Sequence, residues 1–444
     1  MEINNTEVRL PKINIILLLF ISFVMMKYVY GGMVHYLVFL LMFGIILLKL
    51  AKGIKINENI KLNQILLLCC VLLFIIYTAH SLSLSEIKVF IKNYLAIFLV
   101  MIFGLIQFHK YGIKYGEQFF YQFTIMMNVL SFINIFEFII HRPLLEMFLT
   151  PEANAYQAWS YGSSSFRTIS IFGHPIISGL CFSLAFICNI YMIKSRYKFA
   201  LQLLVLVNIY STLSRSAWIA LSLVFLLYCI KNVRFKKISL SSRFTYKQAF
   251  TGFYIICLVV ICLMFIFLKF DLIVDAIISR FGDSLSSNST DVSNLQRTGT
   301  MNLIIHHMFS SDVLHFLFGS GLGSAGYFMA SHLVVIKGFT TTDNMYLTLF
   351  YEVGALALLA YLLFLVISVY RFLFSKKHSL YELASLCFIF ITIEMVFFEG
   401  LGWGVVGTFW SFTLLILFVT FQKEQVKKSK KSKISTVSLP SVGK

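Results

Sequence analysis

The sequence predicts an all-α polytopic membrane protein with about twelve transmembrane helices and a large outer loop carrying short amphipathic helices. Three observations carry that prediction. Of 444 residues, 59% are hydrophobic and only 13% charged, with a mean hydropathy of +0.85, whereas a soluble domain carries about twice that charged fraction. Apolar stretches close to the ~20 residues of a bilayer crossing recur along most of the chain. Lys and Arg gather between alternate stretches, as they do on the cytoplasmic side of short loops. The 37 Lys and Arg against 19 Asp and Glu give a net charge of +18. On a soluble chain that excess points to nucleic acid. So apolar a chain has no soluble basic face, and no nucleic-acid partner is expected.

Taken in order, the crossings fall at about 13–30, 32–50, 64–79, 89–108, 119–140, 176–193, 252–270, 344–370, 381–399 and 402–421. The first lacks a small-residue cleavage site and is followed at once by another, unlike a cleavable signal peptide. The run 199–230 is too long for one ordinary crossing and short for two. Lys194, Arg196 and Lys198 precede it, and Lys231, Arg234, Lys236 and Lys237 follow, so both ends are expected in the cytoplasm and the run crosses twice. Each leg then has roughly 14–16 residues, or ~21–24 Å, less than the ~30 Å of hydrocarbon. Its turn, Ser211 to Ser216 with Arg215 inside, is expected below the outer surface.

The expected organisation is a single membrane domain, 1–444, with a first outer loop at 141–175, a short helical hairpin at 199–230, a large outer loop at 271–342 and a basic cytoplasmic tail at 422–444. Both termini are cytoplasmic, and the basic segments 49–61, 110–114, 194–198, 231–247, 371–377 and 423–433 all fall inside. On this assignment 27 of the 37 basic residues and 6 of the 19 acidic ones are cytoplasmic. The net charge is therefore mainly a topology signal, with the basic tail also suited to anionic lipid. All eight cysteines lie in apolar runs without a C-x-x-C pair and read as packing residues. No internal repeat is evident, which argues against a transporter built of two halves.

Function is expected on the outer face. The large loop has helical apolar spacing at Leu272, Ile273, Ala276 and Ile277, and again at Met301, Ile304, Ile305 and Met308, around a Ser/Asn/Thr/Asp-rich centre. About 70 residues is long for a connector without a function. The outer segments contain Arg142, Arg167, Arg215, Arg280 and Arg297. Arginine presents a planar fork of donors that fits phosphate oxygens, and an arginine at membrane depth is costly unless partnered. Arg215 is therefore the strongest functional candidate, against pairing with Glu137, Glu394 or Glu399. Arg280 and Arg297 divide evenly between function and structure, while Arg142 and Arg167 read as structural. Asp343 precedes the tenth crossing, where it is a candidate base or a helix cap, and Glu352 lies two turns deeper. His174 precedes the proline that opens a helix; His306 and His307 read as surface residues. GSGLGSAG, Gly319 to Gly326, reads as a flexible turn, since its outer location and lack of a strand argue against a nucleotide loop. Asp271 and Asp275 lack the further oxygens that a divalent cation wants, so neither metal nor cofactor is expected.

Four segments resemble motifs of the O-antigen polymerase and O-antigen ligase superfamily. TLSRSAWIALSLVF, on the hairpin, is similar to its Ser-Arg-Gly/Ser-Ala-Trp signature. FRTISIFGHPIISG resembles the loop-to-helix element before the hairpin, LQRTGTMNLIIHHMFSSDVLHFLFGSGLGS the outer loop with an Arg and then Gly-x-Gly, and TTDNMYLTLFYEVGALAL the Asn-x-x-Leu helix start. Together they cover about 165–365. The resemblance implies a GT-C-like, metal-independent membrane glycosyltransferase of the bacterial plasma (inner) membrane, facing the periplasmic side, with undecaprenyl-diphosphate-linked oligosaccharides as substrates. By carry-over Arg215 and Arg297, and more weakly Arg280, bind the donor diphosphate and stabilise it as leaving group.

Ligases carry a His directly before that Asn; here the position is Asp343, which favours the polymerase branch and makes Asp343 the candidate base or acceptor-positioning group. The leading expectation is a polymerase of O-antigen, capsule or exopolysaccharide repeat units, with a chain-length regulator as a candidate partner. The alternatives are a ligase-like transferase to another acceptor and, from another class, a lipid-linked oligosaccharide flippase. A flippase calls for charges along several helices at midplane, whereas these concentrate at the outer face.

Overall fold

The computed structural model describes residues 96–144, 146–148, 160–163, 166–194, 196–235, 292–375 and 379–418, together with Gly44 and Tyr94. The expected crossings at 13–30, 32–50, 64–79 and 252–270, the cytoplasmic tail and Arg280 lie outside the described residues. Within them the chain is helical and has no strand. We label the helices α1 (Ala96–Tyr111), α2 (Ile113–Ile140), α3 (Pro175–Met192), α4 (Lys198–Ser211), α5 (Arg215–Phe235), α6 (Val292–Ser310), α7 (Val313–Phe318), α8 (Ala325–Ser331), α9 (Met345–Phe374), α10 (Leu380–Glu394) and α11 (Gly404–Phe418).

Four of these are long and apolar enough to cross a bilayer: α2, α3, Arg215–Asn232 of α5, and α9. Leu99–Phe108 of α1, α4 and α11 are shorter apolar helices. The protein is thus a polytopic membrane protein. Helix is the form such runs must take, because hydrocarbon offers no partner for a backbone N–H or C=O.

α3 is the central element. Its sequence, PIISGLCFSLAFICNIYM, is apolar on every side, as expected of a helix surrounded by others, and it packs against α2, α4, α5 and α10. Pro175 at its first turn and His174 before it set its start: the His174 ring nitrogen Nδ1 accepts the Ile176 N–H at 3.3 Å. Across the bundle, α2 meets α11 through phenylalanines, with Phe119 stacked on Phe412 and Phe123 edge-on to Phe409, both at 4.1 Å between ring centres.

Buried amides tie the helices where apolar contact alone gives no direction. Asn128 of α2 and Asn189 of α3 exchange two hydrogen bonds of 2.9 and 3.0 Å. Asn134 of α2 donates to Asn208 of α4 at 2.6 Å. Such bonds act as interhelical glue where lipid offers no hydrophobic gradient between helices.

Two features differ from the sequence expectation. The hairpin legs are unequal, 14 residues in α4 and 21 in α5, instead of two of about equal length. α5 runs on past Ile230 because Lys231 does not end the apolar span at water; it is buried and paired, as described below. Second, α9 is broken at Gly354, whose φ of 77° and ψ of 178° are not helical. The loop around Gly319 to Gly321 packs into that break. Ser320 and Gly321 donate their N–H groups to the carbonyls of Tyr351 and Glu352 at 2.8 and 2.9 Å, satisfying acceptors that an unbroken helix would engage. Gly319 and Gly354, both at positive φ, let the two backbones touch: a Cβ on Gly319 would strike Glu352 and Val353, and one on Gly354 would strike Leu317 and Phe318. GSGLGSAG is therefore a packed junction rather than a free turn.

Candidate functional site

One end of the bundle collects the arginines and acids. It is assembled from the α4–α5 turn, the segment 166–174, the loop before α9 and the link between α10 and α11.

The turn positions Arg215. α4 ends at Ser211, Leu213 takes a left-handed φ of 47°, and α5 begins at Arg215. The turn is seated against α3, because Gly179 leaves room: a Cβ there would meet Thr212, Ser214 and Ala217 at 3.0 Å. The strand-like segment beside it is strapped down in turn. Thr168 donates its N–H to Ser211 O at 3.1 Å, and Arg167 Nε donates to Thr212 O at 3.0 Å. The Glu137 carboxylate accepts the N–H groups of Ile169 and Ser170 at 2.7 and 3.1 Å, so backbone amides occupy one of the acids considered as an arginine partner.

Glu394 ends α10 against Ser216, the residue after Arg215. Its Oε1 accepts the Ser216 hydroxyl at 2.7 Å, and Ser216 lies 3.1 Å from the Ser214 hydroxyl. The other oxygen, Oε2, is buried with no hydrogen-bond partner among the described residues. From α10 the contacts continue to α9: Met345 N–H donates to Met395 O at 2.9 Å, and Thr342 N–H to the Glu399 carboxylate at 3.3 Å.

Asp343 and Asn344 divide two roles that the sequence could not separate. The cap of α9 is Asn344, whose side-chain oxygen accepts from Tyr346 N and Leu347 N at 2.9 and 3.3 Å. Asp343 is left free of capping and adopts φ 53°, a conformation that Asp tolerates better than most residues but that still costs energy. Its carboxylate accepts the Thr341 hydroxyl at 3.1 Å and stands 3.7 Å from Arg297 Nε of α6. That pair is loose. Both side chains are about a third exposed, and Arg297 Nε makes no hydrogen bond among the described residues.

A continuous series of contacts thus joins the Arg215–Ser216 helix start, through Glu394 and Met395, to Met345, Asp343 and Arg297. On the other side of the turn, His174 faces Trp403 with ring centres 5.2 Å apart. Burial, with the Arg167 guanidinium nearby, pushes the His174 imidazole down to about 3. The ring is neutral near pH 7 and is no proton donor there. Arg142 is exposed at the end of α2. His306 and His307 are exposed on α6, and burial together with neighbouring histidines lowers His307.

Sequence reasoning assigned Arg167 a structural part and did not single out Trp403. The signal for both was weak: each lies far in sequence from the residues it touches. Among the described residues no group of three His, Cys, Asp or Glu side chains is placed to hold a metal ion. What the site offers an anion is arginine and the N-terminus of a 21-residue helix, whose amides and dipole favour negative charge.

The fold is thus a helical membrane bundle with Arg167 and Arg215 at one inter-helix turn and Arg297 paired with Asp343 before α9. Residues 200–362, a little over a third of the chain, match the family described as O-antigen ligase. The match supports a place among the O-antigen ligases and polymerases, a superfamily of glycan-transferring enzymes, and does not separate the two branches. It includes Arg215, Arg297 and Asp343, while FRTISIFGHPIISG lies before it. No curated protein and no solved structure matches the chain.

Proposed function

We propose that the protein is a polymerase of polysaccharide repeat units, moving a glycan from undecaprenyl diphosphate onto a sugar hydroxyl of a lipid-linked acceptor at the outer face of the bacterial plasma membrane. The observation that carries this reading is the placement of Arg215 at the start of α5, linked through Ser216 and Glu394 to the Asp343–Arg297 pair. Around it the full chain has about twelve crossings with both termini inside.

In this reading Arg215 and Arg297 receive the donor diphosphate, with Arg280 adding charge from the loop. As the glycosidic bond breaks, negative charge grows on the phosphate oxygen, and a fixed guanidinium lowers the barrier without metal. The loose pair suits this task. A diphosphate drawing Arg297 away releases Asp343, 3.7 Å from it, to accept the proton of the incoming hydroxyl or to orient it. The new bond joins the sugar C1 to the acceptor oxygen, and the lipid diphosphate leaves.

Asp343 in place of a ligase histidine supports the polymerase branch. Deletion discriminates the two: loss of a polymerase leaves single repeat units, and loss of a ligase leaves full-length chains on lipid carrier. The direct test is Arg215→Ala and Arg215→Lys assayed for chain-length distribution in membranes. Short or absent chains in the alanine variant are expected, and normal polymer from both would sink the diphosphate role.

A further inference from the structure

At the end of the bundle remote from Arg215, a second charged cluster is built to a different standard. Lys231, near the end of α5, pairs with Glu382 at the start of α10 at 2.9 Å, and both are at most 2% exposed. The same ammonium donates to the Ser375 hydroxyl at the end of α9 at 2.6 Å and lies 4.6 Å from the ring centre of Phe372. One lysine therefore joins three helices. Those helices carry at their opposite ends Arg215 (α5), Asn344 with Asp343 before it (α9), and Glu394 (α10). Lys231 lies 16 residues after Arg215, about 24 Å along the helix.

α5 and α10 run antiparallel and are pinned twice by acids of α10, Glu394 to Ser216 at one end and Glu382 to Lys231 at the other. Between the pins α5 turns Ala220 and Val224 inward, on the same face as Ser216 and Lys231 at helical spacing. Small apolar side chains offer no directional bond that fixes an axial position. Two polar pins do.

Stability is a poor reason to bury such a pair, because desolvation offsets its Coulombic gain and an apolar replacement of similar volume is commonly neutral or stabilising. What the charges supply is register. We infer that Lys231, with Glu382, is a positioning residue that sets the height of Arg215 on α5 relative to Glu394 and the start of α9. This rests on the reading of Arg215 as the diphosphate ligand.

The test replaces the pair by Lys231→Met/Glu382→Leu in the full chain. Three quantities are followed: thermal stability in detergent, polymer formed per folded protein, and the distance between spin labels at the exposed Ser222 of α5 and Val396 after α10. The expected outcome is retained stability, a broadened or shifted label distance and about a tenfold or greater loss of turnover, since an ångström of misplacement at a reacting centre is costly. Lys231→Arg, which keeps the ion pair, should hold both readouts near wild type. If the apolar pair fails to accumulate, Lys231→Gln/Glu382→Gln, which removes both charges together, serves, with the same expected broadening and loss.

Unchanged label distance or unchanged turnover in a folded variant overturns the proposal. Arg215→Ala assayed alongside separates the two readings. If it is inactive while the apolar pair is fully active, only the positioning role falls; if it is as active as wild type, the diphosphate reading falls and takes this role with it.

Discussion

The two ends of the bundle hold charge in opposite ways. At one, Lys231 and Glu382 are enclosed at 2.9 Å, and the ammonium also reaches the Ser375 hydroxyl and the Phe372 ring. At the other, Arg297 and Asp343 stand 3.7 Å apart, about a third exposed, and Arg297 Nε and Glu394 Oε2 lack hydrogen-bond partners among the described residues. A saturated pair has nothing to give a ligand and can only hold its helices. A pair left unsaturated retains the Arg297 donor for an incoming anion, while Glu394 Oε2, a carboxylate oxygen, calls for a hydrogen-bond donor instead. On the proposed function, the difference separates a lock from a binding site within one bundle.

The sharpest way to break that contrast is at Arg215. Arg215→Ala should lower glycan transfer by about a hundredfold or more, the scale of removing a group that stabilises charge in the transition state, with the amount of folded protein unchanged; polymer analysis in membranes checks both. Asp343→Asn tests the unsaturated pair. It should cut transfer by about tenfold to a hundredfold while leaving binding of a lipid diphosphate intact, because the carboxylate competes with that anion for Arg297. Weakened binding in this variant would mean that Asp343 orders the arginine rather than yielding it.

Smaller effects address what supports the open end. Gly354→Ala forces a Cβ against Leu317 and Phe318 at a positive φ, and should destabilise the protein by about 2 kcal/mol or more, seen as a lower melting temperature in detergent. Asn344→Ala removes the two cap bonds of α9 and should cost about 1 kcal/mol.

The least effect concerns His174. Its native value of about 3 lies below the ~6.5 of the free side chain, so as pH falls through that interval the unfolded chain takes up a proton that the native one does not, and stability declines. His174→Gln should flatten the pH dependence of the melting temperature between about 6.5 and 3. An unchanged slope would place the decline on other groups.

Much of this was legible in the sequence, and what was not has physical causes. The helices at 96–111, 113–140, 175–192, 198–211, 215–235, 345–374, 380–394 and 404–418 follow apolar runs, because burial in lipid leaves the backbone no other form. Arg215 stood out as a charge inside such a run, and Asp343 as an acid at a helix start. The break at Gly354 did not, since glycine is common in membrane helices and only contact with Gly319 gives it meaning. Lys231 read as a charge flanking a span; that it is enclosed depends on Glu382, 151 positions away. Asp343 read as either a base or a helix cap until backbone geometry gave the cap to Asn344.

The central claim is that arginine, led by Arg215, holds a lipid diphosphate at the open end of the bundle. Its most direct test is the binding of farnesyl diphosphate and farnesyl monophosphate to the purified full-length protein, with and without a metal chelator, in wild type and Arg215→Ala. The account predicts binding that prefers the diphosphate, survives chelation and is lost in the variant. Binding abolished by the chelator, or equal in wild type and variant, would contradict it.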